Sequence, residues 1–386
     1  MSRTRYAVVG AGLAGAATAW QLARRGADVT LLEAFDLGHA WGSSHGSARI
    51  IRRAYADPFY AALTGEAWAD WGELADEVGV ALVTRTGGLD FGRDREVRAI
   101  AAVQARLGVP HTLFGAAEAA ERWPQFAFDG EVLHHVDAGV LDAGLAVRTM
   151  VGRAGELGAD VRTGWPVARV TRHGAGYELV SGAGHSAVLA DVVVAAAGPW
   201  LGQLLPNLPL AADLLPALRV SEQHVFHFSP RRPAPVGALW PVFIDHEQRA
   251  SYGLPGGSDV GPGVVKVGEH DQGPTTYPGV GSRATDPAVR ERVTAYVARR
   301  VPGLVPEPHH EGTCLYTNTP TEDFVVDRFE GLVVVSPSSG HGAKFAPTIG
   351  RIAADLATGV RSQTLAPVAL RSARQSGAGR ALRASL

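Results

Sequence analysis

The residues best able to do chemistry fall in a few short stretches. The first is Gly10-Ala-Gly12-Leu13-Ala14-Gly15, with Glu33 further on. In such a turn Gly10 makes the tight bend, Gly12 lets a pyrophosphate approach the backbone, and Gly15 lets a helix lie close to a strand. The unpaired N–H groups and positive dipole end of that helix suit the phosphates. Glu33 stands about 20 residues on, where a carboxylate accepts hydrogen bonds from ribose hydroxyls. An acid there argues against a 2′-phosphate and so against NADP, while NAD and FAD both remain open. Arg49 and Arg52 form a second group. The segment from Arg49 has helical or extended character, and on a helix a spacing of three would place the two on one face. Beside Ile50, Ile51 and Tyr55 they read as a partly buried fork for a carboxylate rather than a solvated patch. Cys314 and Tyr316 form the third, and Gly340-His341-Gly342-Ala-Lys344 the fourth.

Each group needs an element to hold it. Tyr6 to Val9 is a β-branched run that reads as a buried parallel strand, and Leu13, Ala16, Ala17, Trp20 and Leu22 give the following helix its apolar side. Asp28 to Leu32 reads as the second strand, ending on Glu33. Ala190 to Ala197 reads as another buried strand closing on Gly198, where the chain returns to the nucleotide. In a strand over Gly312–Pro320, Cys314 and Tyr316 share a face, because side chains alternate. The glycine loop at 338–345 enters a helix with Ile349, Ile352 and Leu356 on one side, Pro347 in its first turn and Gly359 after its end. A second positive helix end is thereby aimed inward. It would stabilise the negative charge of a reduced isoalloxazine ring, which favours FAD over NAD.

At 386 residues the chain can bury a large core and divides into two units. The expected fold class is α/β (α+β), a discontinuous Rossmann-like FAD-binding domain with an antiparallel-sheet substrate domain. The first domain takes residues 1–85, 145–216 and 311–370, the second takes 86–144 and 217–310, and 371–386 is a flexible tail. Net charge is −2 with acids and bases intermixed, so neither nucleic acid nor an anionic membrane is an expected partner. No apolar run approaches the roughly 20 residues of a membrane helix. The nucleotide motif begins almost at Met1 with no apolar leader, so a cytoplasmic location is expected. With one cysteine, no internal disulfide and no cysteine-rich metal site can form, and no metal is expected.

Taken together, the Gly10–Gly15 turn with Glu33, Ser44-His45-Gly46 with Arg49-Ile-Ile-Arg52, Lys266-Val-Gly with His270, Thr313-Cys314-Leu-Tyr316-Thr and Ser339-Gly-His341-Gly-Ala-Lys344-Phe resemble the monomeric sarcosine oxidase and N-methyltryptophan oxidase family. These are FAD-dependent amine oxidases of the D-amino-acid oxidase superfamily, and the resemblance runs from Tyr6 to about Leu356. It implies a flavin attached covalently through Cys314 at its 8α carbon. It implies a substrate carboxylate gripped by Arg52 and Lys344, and an oxygen-activating lysine at Lys266. His45, Arg49, His270 and Tyr316 match positions near flavin or substrate, and Tyr252 is a further substrate contact. Gly10, Gly12, Leu13, Ala14, Gly15, Glu33, Ser44, Arg49, Gly198, Cys314, Gly340, Gly342 and Lys344 are the expected cofactor-binding set.

The implied reaction is hydride removal from the carbon next to a secondary or N-methylated amine, with flavin N5 as acceptor. The imine hydrolyses, O2 is reduced to H2O2, and the family default is a monomer. The sequence departs from the family at Leu254-Pro-Gly-Gly after Tyr252-Gly253, and at Ser47-Ala48 beside the arginines. Both lie near the substrate, which keeps open an alternative: a tailoring oxidase of a cyclic imino acid or other amine intermediate in a biosynthetic pathway.

Overall fold

The structure is a computed structural model that describes residues 3–211, 214–232, 240–247, 249–261, 263–271, 273–280 and 284–360. The expected tail at 371–386 lies outside them.

A six-stranded sheet organises the first half of the site. Its order is Val325–Phe329, Leu332–Ser336, Val192–Ala195, Arg5–Val9, Asp28–Leu32, Asp160–Arg162. All neighbours are parallel except the antiparallel edge pair formed by Val325–Phe329 and Leu332–Ser336. Parallel strands covered on both faces read as continuous apolar runs, as Val192–Ala195 does. Helices Leu13–Arg24, Ala143–Glu156 and Ala346–Thr358 cover one face, and Val8, Val194 and Val333 lie in the core they share with it. The other face packs against the antiparallel sheet of Val167–His173, Gly176–Ser181 and Val188–Ala190. Helices Leu13–Arg24 and Ala346–Thr358 approach so closely that a Cβ on Gly350 would lie 2.5 Å from the Ala17 carbonyl carbon.

The second sheet has eight strands, in the order Leu304–Asn318, Arg219–Pro230, Val265–Glu269, Ser251–Pro255, Val242–Asp245, Gly88–Phe91, Val132–His135, His111–Phe114. It is antiparallel apart from the parallel pair of Val242–Asp245 with Gly88–Phe91. Asp286 caps helix Pro287–Arg300 by accepting from Ala288 N–H, and Val289, Val293 and Val297 bury against Phe226, Phe228 and Val265. Among the described residues no helix is long and apolar enough to cross a membrane.

Two expectations change here. Of the helical and extended readings of Arg49–Arg52 the extended one holds: the segment is a strand paired antiparallel with Ala138–Leu141, so Arg49 and Arg52 point to opposite faces and share no helix face. A first-domain segment beginning at residue 311 would include the strand bearing Cys314, yet that strand is hydrogen-bonded along its length to Arg219–Pro230 and belongs to the eight-stranded sheet. That boundary cuts through one continuous strand.

Candidate functional site

A cavity of about 530 Å³ is walled by the ends of the first sheet and one face of the second. The nucleotide turn forms one end. Gly10 has φ +96°, and a Cβ there would lie 2.6 Å from Ala196 O, so both conformation and space demand glycine. A Cβ on Gly15 would fall 1.8 Å from Gly10 O, which makes Gly15 a packing residue that does not itself line the cavity. Gly12, Leu13 and Ala14 bring the helix N-terminus to the wall. Leu13 N–H donates to Ser44 Oγ at 3.0 Å. Glu33 is buried and accepts from Ala11 N–H at 2.7 Å and Phe35 N–H at 3.0 Å. Burial would raise its pKa, but His39 and these two amides hold it below the usual carboxylate range. His39 Nε2 lies 3.5 Å from Glu33 Oε1, and Phe35, His39 and Trp200 form a ring cluster beside it. Gly198 lines the cavity at the end of the Val192–Ala195 strand, as expected.

The other end is built mainly on the second sheet. Lys266 is buried, and its ammonium donates to Ala48 O at 3.4 Å. Burial, then the charge of Arg49, lower its pKa to about 7, against smaller opposing effects of Cys314 and Asp259. Tyr252 and Tyr316 are hydrogen-bonded to each other, and burial raises both phenols above their usual range. Cys314 is half-buried in the same wall. His270 packs 5.7 Å from the Tyr316 ring, and burial takes its pKa down to about 4, so it is neutral at pH 7. Gly340, at φ +79°, leaves room for both, since a Cβ would lie 2.4 Å from Tyr316 and 2.7 Å from His270.

The cations are used differently. Arg49 donates to the carbonyls of Ser43, His45 and Ala48, so it is a fixed positive charge bound to its own loop. Arg52 is only 2 % exposed, and its Nη1 donates to Ala54 O and to Asp90 Oδ1. Lys344 Nζ donates to Tyr55 OH and His341 O, both at 2.9 Å, and its third proton remains for a ligand. Burial, then the charge of Arg52, hold its pKa well below the usual lysine value. Tyr55 and His341 also face each other at 3.3 Å.

Nearly all the expected residues therefore meet in one cavity. His45 does not line it and contributes a carbonyl to Arg49. Tyr55, His39, Trp200 and Asp90 carry no role in the sequence reading, and His341 enters it only as part of its glycine motif. Tyr55 stands beside the arginines; His39, Trp200 and Asp90 give no local signal.

The cavity fits FAD. Bare backbone at Gly10 and Gly12 faces one end, a second glycine turn at Gly340 and Gly342 faces the other, and a carboxylate stands where ribose hydroxyls need an acceptor.

The family model for FAD dependent oxidoreductases matches residues 5–356. The chain is 34% identical over 369 residues to the human peroxisomal sarcosine oxidase, covering 90% of each. It is 28% identical over 362 residues to N-methyl-L-tryptophan oxidase of Yersinia pestis, covering 90% of this chain and 93% of that one. Among solved structures it superposes on NikD, described as an unusual amino acid oxidase essential for nikkomycin biosynthesis, with TM-score 0.81 and 25% identity, covering 94% and 96% of the two chains.

Proposed function

The chain belongs to the FAD dependent oxidoreductase family, and on that footing we propose that it is an oxidase of secondary or N-methylated α-amino acids. The observation that carries this is the pairing of Arg52 and Lys344 on one cavity with the nucleotide turn, each keeping donors for a ligand.

Arg52 and the third Lys344 proton take the substrate carboxylate, as cations take a carboxylate where water is excluded. That grip fixes the α-carbon and its amine, and orientation of this kind lowers a barrier by several kcal/mol. Ile50, Ile244, Tyr252 and Leu254 wall the same space and keep water out. The amine reacts only when neutral, and the neighbouring cations lower its pKa. Bound FAD supplies the hydride acceptor for the carbon next to the amine and the route for its electrons to O2, giving H2O2. Lys266, with a pKa of about 7, carries a proton or charge at the oxygen side, a preorganised electrostatic role. The product leaves as an imine and hydrolyses in water. The similarity to sarcosine and N-methyltryptophan oxidases supports the substrate class. Leu254 and Ile244 give that wall an apolar surface suited to an apolar substituent on the substrate; a cyclic imino acid of a biosynthetic pathway is the second reading.

Cys314 is the proposed attachment point of the flavin. The protein is proposed to be monomeric and cytoplasmic, its domains divided as the sequence suggests except that residues 304–318 go with the substrate sheet.

Acid precipitation of the yellow protein, with amine screening by peroxide detection, tests this reading. Flavin should stay in the pellet and move to the supernatant in Cys314→Ala, and N-methyl or cyclic α-amino acids should yield peroxide. A flavin-loaded protein that makes no peroxide with any α-amino acid overturns the substrate assignment.

A further inference from the structure

The strand Gly88–Phe91 buries a carboxylate immediately behind Arg52. Asp90 is fully buried and does not line the cavity. Arg52 Nη1 donates to Oδ1 at 3.1 Å, His246 Nε2 lies 2.7 Å from the same oxygen, and His135 Nε2 lies 2.8 Å from Oδ2. Since an ionised carboxylate only accepts, both imidazoles place their protons on Nε2. Burial would raise the Asp90 pKa, but the Arg52 charge and the two imidazole hydrogen bonds hold it well below the usual carboxylate range. The backbone makes room for this cluster. Gly88 pairs across the strands with His135, and a Cβ there would lie 2.4 Å from His135 Cε1. The imidazoles are spent on the carboxylate, and no group among the described residues could hold a metal.

Packing alone does not call for such a cluster. Replacing a buried ion pair with apolar groups of similar volume is often neutral or stabilising. What the carboxylate changes is Arg52. It ties one guanidinium nitrogen, together with Ala54 O, and leaves the rest of the fork directed by that tether. It also sets a full negative charge one guanidinium away from any carboxylate that Arg52 binds.

We propose that Asp90 is a positioning residue that fixes the orientation of Arg52 and offsets its charge, so that the site holds an α-amino acid in one pose with moderated affinity and releases the product. This rests on Arg52 as the carboxylate-binding group. His135 and His246 serve it by keeping Asp90 ionised and in place.

The test uses the flavin-loaded holoenzyme, titrated with (methylthio)acetate, in which sulfur replaces the reacting amine, and with the corresponding amide, each followed in the visible flavin spectrum. Asp90→Asn keeps the volume and removes the charge. The acid is expected to bind at least about tenfold tighter, since removing one unit charge within about 10 Å under an effective dielectric near 20 is worth more than one decade of affinity. Affinity for the amide stays unchanged, and KM and kcat for the amino acid fall together. Unchanged or weaker binding of the acid overturns the proposal. Arg52→Met separates the two readings. If it leaves acid binding intact, Arg52 is not the carboxylate site and both fall. If it abolishes acid binding while Asp90→Asn has no effect, only the role of Asp90 falls. Should Asp90→Asn fail to fold, Asp90→Leu carries the same expected gain; if neither folds, the cluster is structural and the proposal is wrong.

Discussion

Replacing Lys266 with methionine should make the protein more stable and a worse oxidase at once. The lysine titrates near 7 in the fold against its ordinary 10.5, chiefly because it is buried. Between those two pH values the unfolded chain holds this proton and the folded chain has lost it. Stability therefore rises with pH across that window, and the buried charge costs most at pH 7 and below. At about 1.4 kcal/mol per pH unit, the cost at pH 7 is about 4 kcal/mol. Methionine keeps the aliphatic stem and gives up one long hydrogen bond to Ala48 O, worth about 1 kcal/mol. The net expected gain for Lys266→Met is about 3 kcal/mol at pH 7, shrinking by about 1 kcal/mol for each pH unit above it. Guanidinium unfolding of flavin-free protein, followed by tryptophan fluorescence at pH 7, 8 and 9, measures that gap. In the loaded enzyme, oxygen consumption should fall by about 10²–10³, the scale of losing one preorganised charge at a reacting centre. A variant less stable than the parent at pH 7, or a gap that does not change with pH, refutes the reasoning.

Tyr55→Phe removes the hydroxyl that accepts from Lys344 Nζ. It should lower kcat/KM for α-amino acids by about tenfold while leaving amines without a carboxylate unaffected, which steady-state comparison of the two substrate classes checks. Gly340→Ala places a methyl group 2.4 Å from the Tyr316 ring at φ +79°. Thermal melting should show a loss of about 2 kcal/mol or more, with the purified protein largely colourless. Glu33→Ala strips the acceptor from Ala11 N–H and Phe35 N–H. Its flavin content in a Cys314→Ala background should drop by at least about tenfold in equilibrium dialysis, because a buried amide is also left unpaired.

The nucleotide end was legible because its residues act within one strand–turn–helix–strand unit. Gly10, Gly12, Gly15 and Glu33 are set by local spacing, and the structure adds the Cβ overlaps that explain Gly10 and Gly15. Cys314 and Tyr316 were legible because alternation along a strand is also local. The substrate end was harder. Arg49 and Arg52 have helical spacing, yet pairing with Ala138–Leu141, some ninety residues away, makes them a strand and sends their side chains apart. The same remoteness hid the sheet to which Cys314 belongs, since the register with Arg219–Pro230 leaves no trace in either segment alone. Tyr55 to Lys344 and Asp90 to His246 are hydrogen bonds between distant parts of the chain, and no pattern within a window of residues encodes them.

These long-range contacts explain how one cavity tolerates four basic side chains. Like charges crowded into low dielectric would cost several kcal/mol each if all were ionised and unpaired. The fold answers each separately. Arg49 is absorbed by three backbone carbonyls, and Arg52 by Asp90. Lys266 and Lys344 are pushed toward neutrality by burial and by those arginines. The two arginines are thereby compensated, and burial disfavours the charged form of both lysines until an anion enters. A carboxylate arriving between Arg52 and Lys344 favours protonation of Lys344, because an opposite charge raises a lysine pKa as surely as burial lowers it. The carboxylate thereby holds Lys344 in the charged form whose third proton it accepts, while the substrate amine must give up a proton to react.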